Sequence, residues 1–221
     1  MATSGQNSFS LTIDEVIDTA SKMVGGDPVP ALEAVIARRA LNLILSDWQN
    51  RGVLLWTTDT VAVTLTSAVA AVTLNTSTVD VLTAVIRRTS IDHEMQRISM
   101  QEYEEIPNKA SAGLPGQYAI HRLRDAAVMY LWQAPENSTD VLRYHRIRRF
   151  ETNARSADDP DVPYRYLPAL TFGLAYYMGL NRPGVDPGKR AELKGEYEML
   201  LMRALEEDRE RAPLRLVPKI G

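Results

Sequence analysis

Two adjacent carboxylates, Glu104 and Glu105, and three imidazoles, His93, His121 and His145, are the side chains of this sequence best suited to acid–base or metal chemistry. A glycosidase-type pair needs two carboxyls facing each other across a substrate. Neighbours on a helix point in different directions, so Glu104 and Glu105 are expected on a solvated face. The histidines are scattered, with no local ligand partner of the kind a metal site requires. With no cysteine in the chain, a thiol nucleophile, a disulfide framework and Cys-based zinc or iron–sulfur sites are excluded. The sequence contains no Gly-x-Ser-x-Gly elbow, no phosphate loop ending in Gly-Lys-Ser/Thr, no Gly-x-Gly-x-x-Gly and no His-Glu-x-x-His. The expectation is therefore no catalytic residue, no metal and no cofactor.

Binding chemistry has two carriers. Arg143, His145, Arg146, Arg148 and Arg149 form the densest basic cluster. On a strand they divide between both faces and form no simple stripe; a solvated edge is the stronger reading, and a patch facing DNA or an acidic partner the functional one. Trp48, Trp56, Tyr130 and Trp132 could stack bases, yet they sit among aliphatic residues in helix or strand patterns, where core or subunit-interface packing is the stronger reading. A net charge of −3 argues against a sequence-independent grip on phosphates.

The elements that must position these residues follow from periodicity. The 221 residues, 45% apolar and 24% charged, suit one large globular domain or two small ones. Thr12 with Glu15 forms a capping box ahead of Ile13, Val16, Ile17 and Ala20 at helical spacing. Gly25 to Pro28 ends that helix. A second runs from Ala31 to about Arg51 with an apolar stripe of Leu32, Val35, Ile36, Leu43 and Ile44, and the two are expected to pack as a hairpin. From Thr57 the Thr, Val and Ala content indicates strands, continued at 79–88 and 96–99 across a turn around Ser90-Ile91-Asp92, then a short helix capped by Ser99 and Glu102. Residues 113–136 read as a β-hairpin, with Tyr118 and Ile120 on one face and Val128, Tyr130 and Trp132 on one face. A last strand covers 140–150. Beyond the acidic loop 156–163, residues 167–180 suit a buried helix and 188–211 an amphipathic one, with Leu193, Tyr197, Leu200, Leu201 and Ala204 inward. The fold class expected is α+β, mainly α: a helical bundle from 1–56 and 151–211 around a central antiparallel β meander at 57–150, with an extended tail at 212–221.

The wording and order of five segments resemble the head-to-tail connector, or adaptor, proteins of tailed bacteriophages. They are "LNLILSDWQNRGVLLWTTDTVAVTL", "ISMQEYEEIPNKASAGLPGQYAI", "MYLWQAP", "DPDVPYRYLPALTFGLAYYMGL" and the closing charged helix, and together they span nearly the whole chain. The resemblance implies a structural virion protein, not an enzyme, forming a ring, usually twelve-fold, beneath the portal. Such a ring extends the DNA channel, lets genomic DNA pass without sequence-specific contact and offers a surface to the tail or its nozzle. The implied place is the virion neck, assembled in host cytoplasm, with no membrane partner. Candidate contacts to portal or neighbouring subunit are Leu214, Arg215, Leu216, Val217, Lys219 and Ile220. Candidate channel or partner contacts are Arg143, Arg146, Arg148 and Arg149. Two readings from other classes are a virion-associated cell-wall hydrolase and a nucleic-acid-binding module. The first lacks a visible pair of facing carboxylates, and the second is disfavoured by the charge.

Overall fold

A computed structural model of the chain describes residues 9–26, 31–53 and 55–207, with backbone alone described at 31, 32 and 55. It divides into two compact units: the residues up to Leu55 together with those from Phe150 onward, and Trp56–Arg149.

The first unit is helical. α1 (Ile13–Met23) starts at the predicted capping box, in which Glu15 N–H donates to the Thr12 hydroxyl and Thr12 N–H to the Glu15 carboxylate. The two remaining orphan donors of its first turn, Ile13 N–H and Asp14 N–H, reach the Asp158 and Ser156 carbonyls at 2.9 and 3.1 Å. The acidic loop at 156–163 thus closes the helix start. α2 (Ala31–Asn50) buries Ala37, Ala40, Leu41, Ile44, Leu45 and Trp48. Of the expected stripe, Ile44 is inward, but Ile36 is 45% exposed and Leu43 63%. The burying stripe is rotated toward the small residues Ala37 and Ala40, which let α2 lie close to its neighbour.

That neighbour is α4 (Leu167–Asn181), which α1 and α2 also contact. Being apolar nearly all round, it takes the centre of the unit. α5 (Pro187–Glu207) packs on it through Leu193, Tyr197, Leu201 and Ala204. A Cβ at Gly173 of α4 would lie 2.9 Å from the Tyr197 ring, so the absent side chain sets how near α5 comes. Glu198 of α5 is 2.7 Å from Arg51, just beyond the end of α2.

The second unit overturns both "mainly α" and "meander": the chain is α+β with a large share of strand. Ten strands run in order: β1 (Thr58–Thr64), β2 (Ala71–Thr73), β3 (Thr78–Arg88), β4 (Ile91–Glu94), β5 (Gln96–Arg97), β6 (Ala112–Gly113), β7 (Gln117–Arg122), β8 (Ala127–Trp132), β9 (Ala134–Pro135) and β10 (Val141–Arg148). A short α3 (Met100–Glu105) carries the predicted Ser99–Glu102 capping box. One sheet is ordered β1-β10-β3-β4 and a second β2-β8-β7-β5, with β6 and β9 paired apart. β5 with β7 and β6 with β9 run parallel. The two larger sheets share one core, Val81, Ala84, Ile86, Leu142 and Tyr144 from the first meeting Tyr118, Ala127, Met129 and Leu131 from the second. Meander order fails because the last strand, β10, inserts between β1 and β3, a long-range pairing that local pattern does not encode.

The β7–β8 hairpin is present, but its inward face on β8 is Ala127, Met129 and Leu131, while Val128, Tyr130 and Trp132 are half-buried. The second face is covered in part: Tyr103 of α3 lies 5.3 Å from the Tyr130 ring, and Trp132 Nε1 donates to the Asn108 carbonyl at 3.2 Å. Tyrosine and tryptophan suit such a half-covered face because their polar tips still find partners.

The β3–β4 turn is Thr89-Ser90, and Ile91-Asp92, expected in the turn, begin β4. Thr89 and Ser90 have φ of 47° and 68°, the left-handed pair of a two-residue hairpin turn, where Asn-Gly fits and a β-branched threonine is strained. Replacing Thr89-Ser90 by Asn-Gly is expected to stabilise the β unit by about 1–2 kcal/mol. An unchanged or lower denaturant midpoint would contradict that assignment.

Candidate assembly surfaces

The residues that could do chemistry are dispersed over the β unit. Glu104 and Glu105 are exposed on α3, Glu104 3.6 Å from Lys109 and Glu105 accepting from Gln101 at 3.2 Å. His93 sits on β4, His121 is exposed on β7, and His145 on β10 lies 3.2 Å from the Thr60 hydroxyl. Among the described residues no three His, Asp or Glu side chains gather as a metal site requires. Among the same residues no helix is long and apolar enough to cross a membrane.

The basic cluster is not one patch. Arg143 stands half-exposed on the open face of its sheet, while Arg146, 6% exposed, turns inward. Its guanidinium bonds Asp59 at 2.6 and 3.1 Å and the Ser77 and Thr78 hydroxyls at 3.0 and 2.8 Å. Register shifts between His145 and Arg146 and between Ile147 and Arg148 break the alternation that would have set the arginines in order. Arg148 donates to the Arg149 carbonyl at 3.1 Å, and Arg149 is exposed. Of the four arginines named from sequence, Arg146 is thus a tie within the fold, and Arg143 and Arg149 are the outward ones.

Two further ion clusters escaped the sequence reading. Arg88 grips the fully buried Asp140 through Nε and Nη2 and reaches Glu136 through Nη1 at 2.6 Å. Asp80 lies 3.0 Å from Arg97 and 2.6 Å from Arg122, tying the first sheet to strands β5 and β7 of the second. The available signal was an arginine and an aspartate inside alternating apolar runs, where a buried charge demands a partner.

The Arg146 hydrogen bond holds the Asp59 carboxyl below the usual carboxylate range, and Arg87 does the same for Asp92. A depressed folded pKa stabilises above the unfolded value of about 3.9 and is lost as pH falls through the lower folded value. Asp59→Asn is therefore expected to be less stable than wild type at neutral pH, with the gap closing in acid. Denaturant titrations across that range would refute the tie if the gap stayed constant.

Among the described residues, two open surfaces stand out. One is the outer face of α2, where Ile36, Arg39 and Leu43 stand exposed at spacings of three and four residues. The other is the sheet β1-β10-β3-β4, whose end strands, like those of β2-β8-β7-β5, pair on one side alone among the described residues. Leu214, Arg215, Leu216, Val217, Lys219 and Ile220 lie outside the described residues.

No curated protein matches the chain. The model of the SU10 adaptor protein family matches residues 11–217 and so takes in both the helical and the β unit. With nearly its full length accounted for, the chain belongs to the SU10 adaptor protein family, a family of phage head-to-tail adaptors.

Proposed function

We propose that the chain forms a ring, twelve-fold as in the connectors it resembles, beneath the portal, prolonging the DNA channel and presenting the surface on which the tail or nozzle assembles. The observation that carries this is the family match across residues 11–217, which takes in both units. The charge supports the same role: a net −3 suits a wall past which DNA slides better than a protein that grips it. In this reading the partners are the portal, the tail or nozzle protein and other copies of the chain, and its place is the virion neck.

The test is electron microscopy of DNA-filled, tailless capsids incubated with the purified chain. The expected result is an added ring of twelve-fold density below the portal. Capsids indistinguishable from untreated ones would reject the reading.

A further inference from the structure

We propose that neighbouring copies in the ring join through their β units, the free edge of β1 in one copy pairing antiparallel with the free edge of β4 in the next. This deepens the ring reading and rests on it. β1 and β4 are the two ends of the sheet β1-β10-β3-β4, and no other strand of the described residues pairs with either outer edge.

The ladder phase says which groups are on offer. Antiparallel partners alternate between pairs that exchange hydrogen bonds and pairs that do not. Leu65 N–H donates to the Asp140 carbonyl at 2.9 Å, continuing the β1–β10 register. Asp59, Val61 and Val63 therefore turn their backbone groups toward β10, and Thr60, Ala62 and Thr64 turn theirs outward. All three are exposed, small and uncharged. At the other end Met95 N–H donates to the Ala84 carbonyl at 3.1 Å, so His93 serves β3 while Asp92 and Glu94 present N–H and C=O outward.

Strand direction decides what the edges can do. β1 is antiparallel to β10, β10 to β3 and β3 to β4, so β1 and β4 run oppositely. A copy generated by rotation about an axis roughly along the strands brings its β1 against β4 as one more antiparallel neighbour. An odd number of alternating strands would have made that junction parallel. Because the joined edges differ, the contact is heterologous: it propagates instead of stopping at a dimer, and a rotation that closes on itself makes it a ring.

Charge agrees with this pairing. Following the register, Thr60, Ala62 and Thr64 share the open sheet face with Arg143 and His145 and, two strands on, with Asp92 and Glu94. The junction places Glu94 of one copy one strand away from Arg143 of the next, Asp92 being already paired with Arg87 at 2.6 Å. Natural edges are commonly guarded by lysine, proline or a bulge. From Thr60 to Thr64 β1 has none of these. With four residues in β4 the junction orients neighbours without holding them alone, as expected of a ring assembled on a portal.

The absence of native cysteine allows a clean test. Ala62→Cys combined with Glu94→Cys, and Ala62→Cys combined with Asp92→Cys, probe the two registers that pair outward groups with outward groups. Within one copy these edges stand three strand spacings apart, about 14 Å, beyond the reach of about 7 Å between Cα atoms in a disulfide. A bond therefore joins two copies. On rings assembled on portal-bearing capsids and mildly oxidised, one pair is expected to give a ladder of covalent oligomers on non-reducing gels. Ala62→Pro removes an N–H that β10 does not use, so it should keep the monomer's melting behaviour and lose the ring. Rings with free thiols in both registers, rings formed normally by Ala62→Pro, or Ala62 found against a portal or tail strand by cross-linking and mass spectrometry would each overturn edge pairing and leave the adaptor reading standing. Wild-type chain that forms no ring would overturn both.

Discussion

Trp48→Ala is expected to destabilise the helical unit by about 3–5 kcal/mol, the range for deleting a fully buried large aromatic. At roughly 2–4 °C per kcal/mol for a chain of this size, that is a fall of roughly 6–20 °C in melting temperature. Trp48 is wholly buried, its ring centroid 5.6 Å from that of Tyr166 and its Nε1 donating to the Tyr197 hydroxyl at 2.8 Å. Truncation opens a cavity between α2, α4 and α5 and strips the Tyr197 hydroxyl of its donor. Burial there already pushes Tyr197 up to about 12. Tyr197→Phe isolates the polar part, since it keeps the ring that fits against Gly173 and orphans only the indole N–H, a loss of about 1–3 kcal/mol. Trp132→Ala should cost less than Trp48→Ala, because Trp132 is half-buried and its N–H meets one loop carbonyl. Thermal and urea melts of the three variants test the order. Trp132→Ala costing more than Trp48→Ala would mean that the half-covered face of β8 matters more than the centre of the helical unit.

What was legible in the sequence is what depends on neighbours in sequence. Both capping boxes, Thr12–Glu15 and Ser99–Glu102, are present because the reciprocal side-chain and backbone bonds lie within three residues. The inward face of α5 was readable for the same reason: Leu193, Tyr197, Leu201 and Ala204 recur at three and four residues. The β3–β4 turn was displaced by one or two residues because Thr-Ser is a poor signal for a turn that demands two positive φ values. On α2 the large aliphatics predict the burying stripe, yet Ala37 and Ala40 face inward and Ile36 and Leu43 do not. Residue size is a weak guide to direction on a helix apolar on several sides.

Strand order and the ion ties were beyond local reading. β10 enters between β1 and β3 from far along the chain. Arg146 looks like one more surface arginine until Asp59 and Thr78 are brought beside it. The candidate site suffered most from this, since an arginine run on a bulged strand has no fixed direction until the register is known. Recognition of the family came through the wording and order of five segments and did not need the strand order.

The chain after Arg211 carries the second large effect. Its sequence, "APLRLVPKIG", has Leu214, Leu216, Val217 and Ile220 without a helical period to gather them on one face, and prolines 213 and 218 each remove a backbone donor. Arg211, Arg215 and Lys219 alternate with those apolar residues. A strip of that composition gains affinity by lying extended on another protein, where pockets take the apolar anchors and backbone groups pair with the host. Among the described residues, Ala204 is the last buried one on α5. Truncation after Arg211 is accordingly expected to leave the monomer's melting temperature nearly unchanged while strongly weakening attachment to portal-containing capsids. Co-sedimentation with DNA-filled, tailless capsids measures it. Binding as tight as that of the full-length chain would reduce the tail to a frayed end, and a large fall in melting temperature would show that it belongs to the fold of the monomer. Truncated chain that no longer binds capsids, but still cross-links through Ala62→Cys and Glu94→Cys or Asp92→Cys when concentrated, would separate the two contacts: the tail holding the ring to its template, the sheet edges ordering neighbours within it.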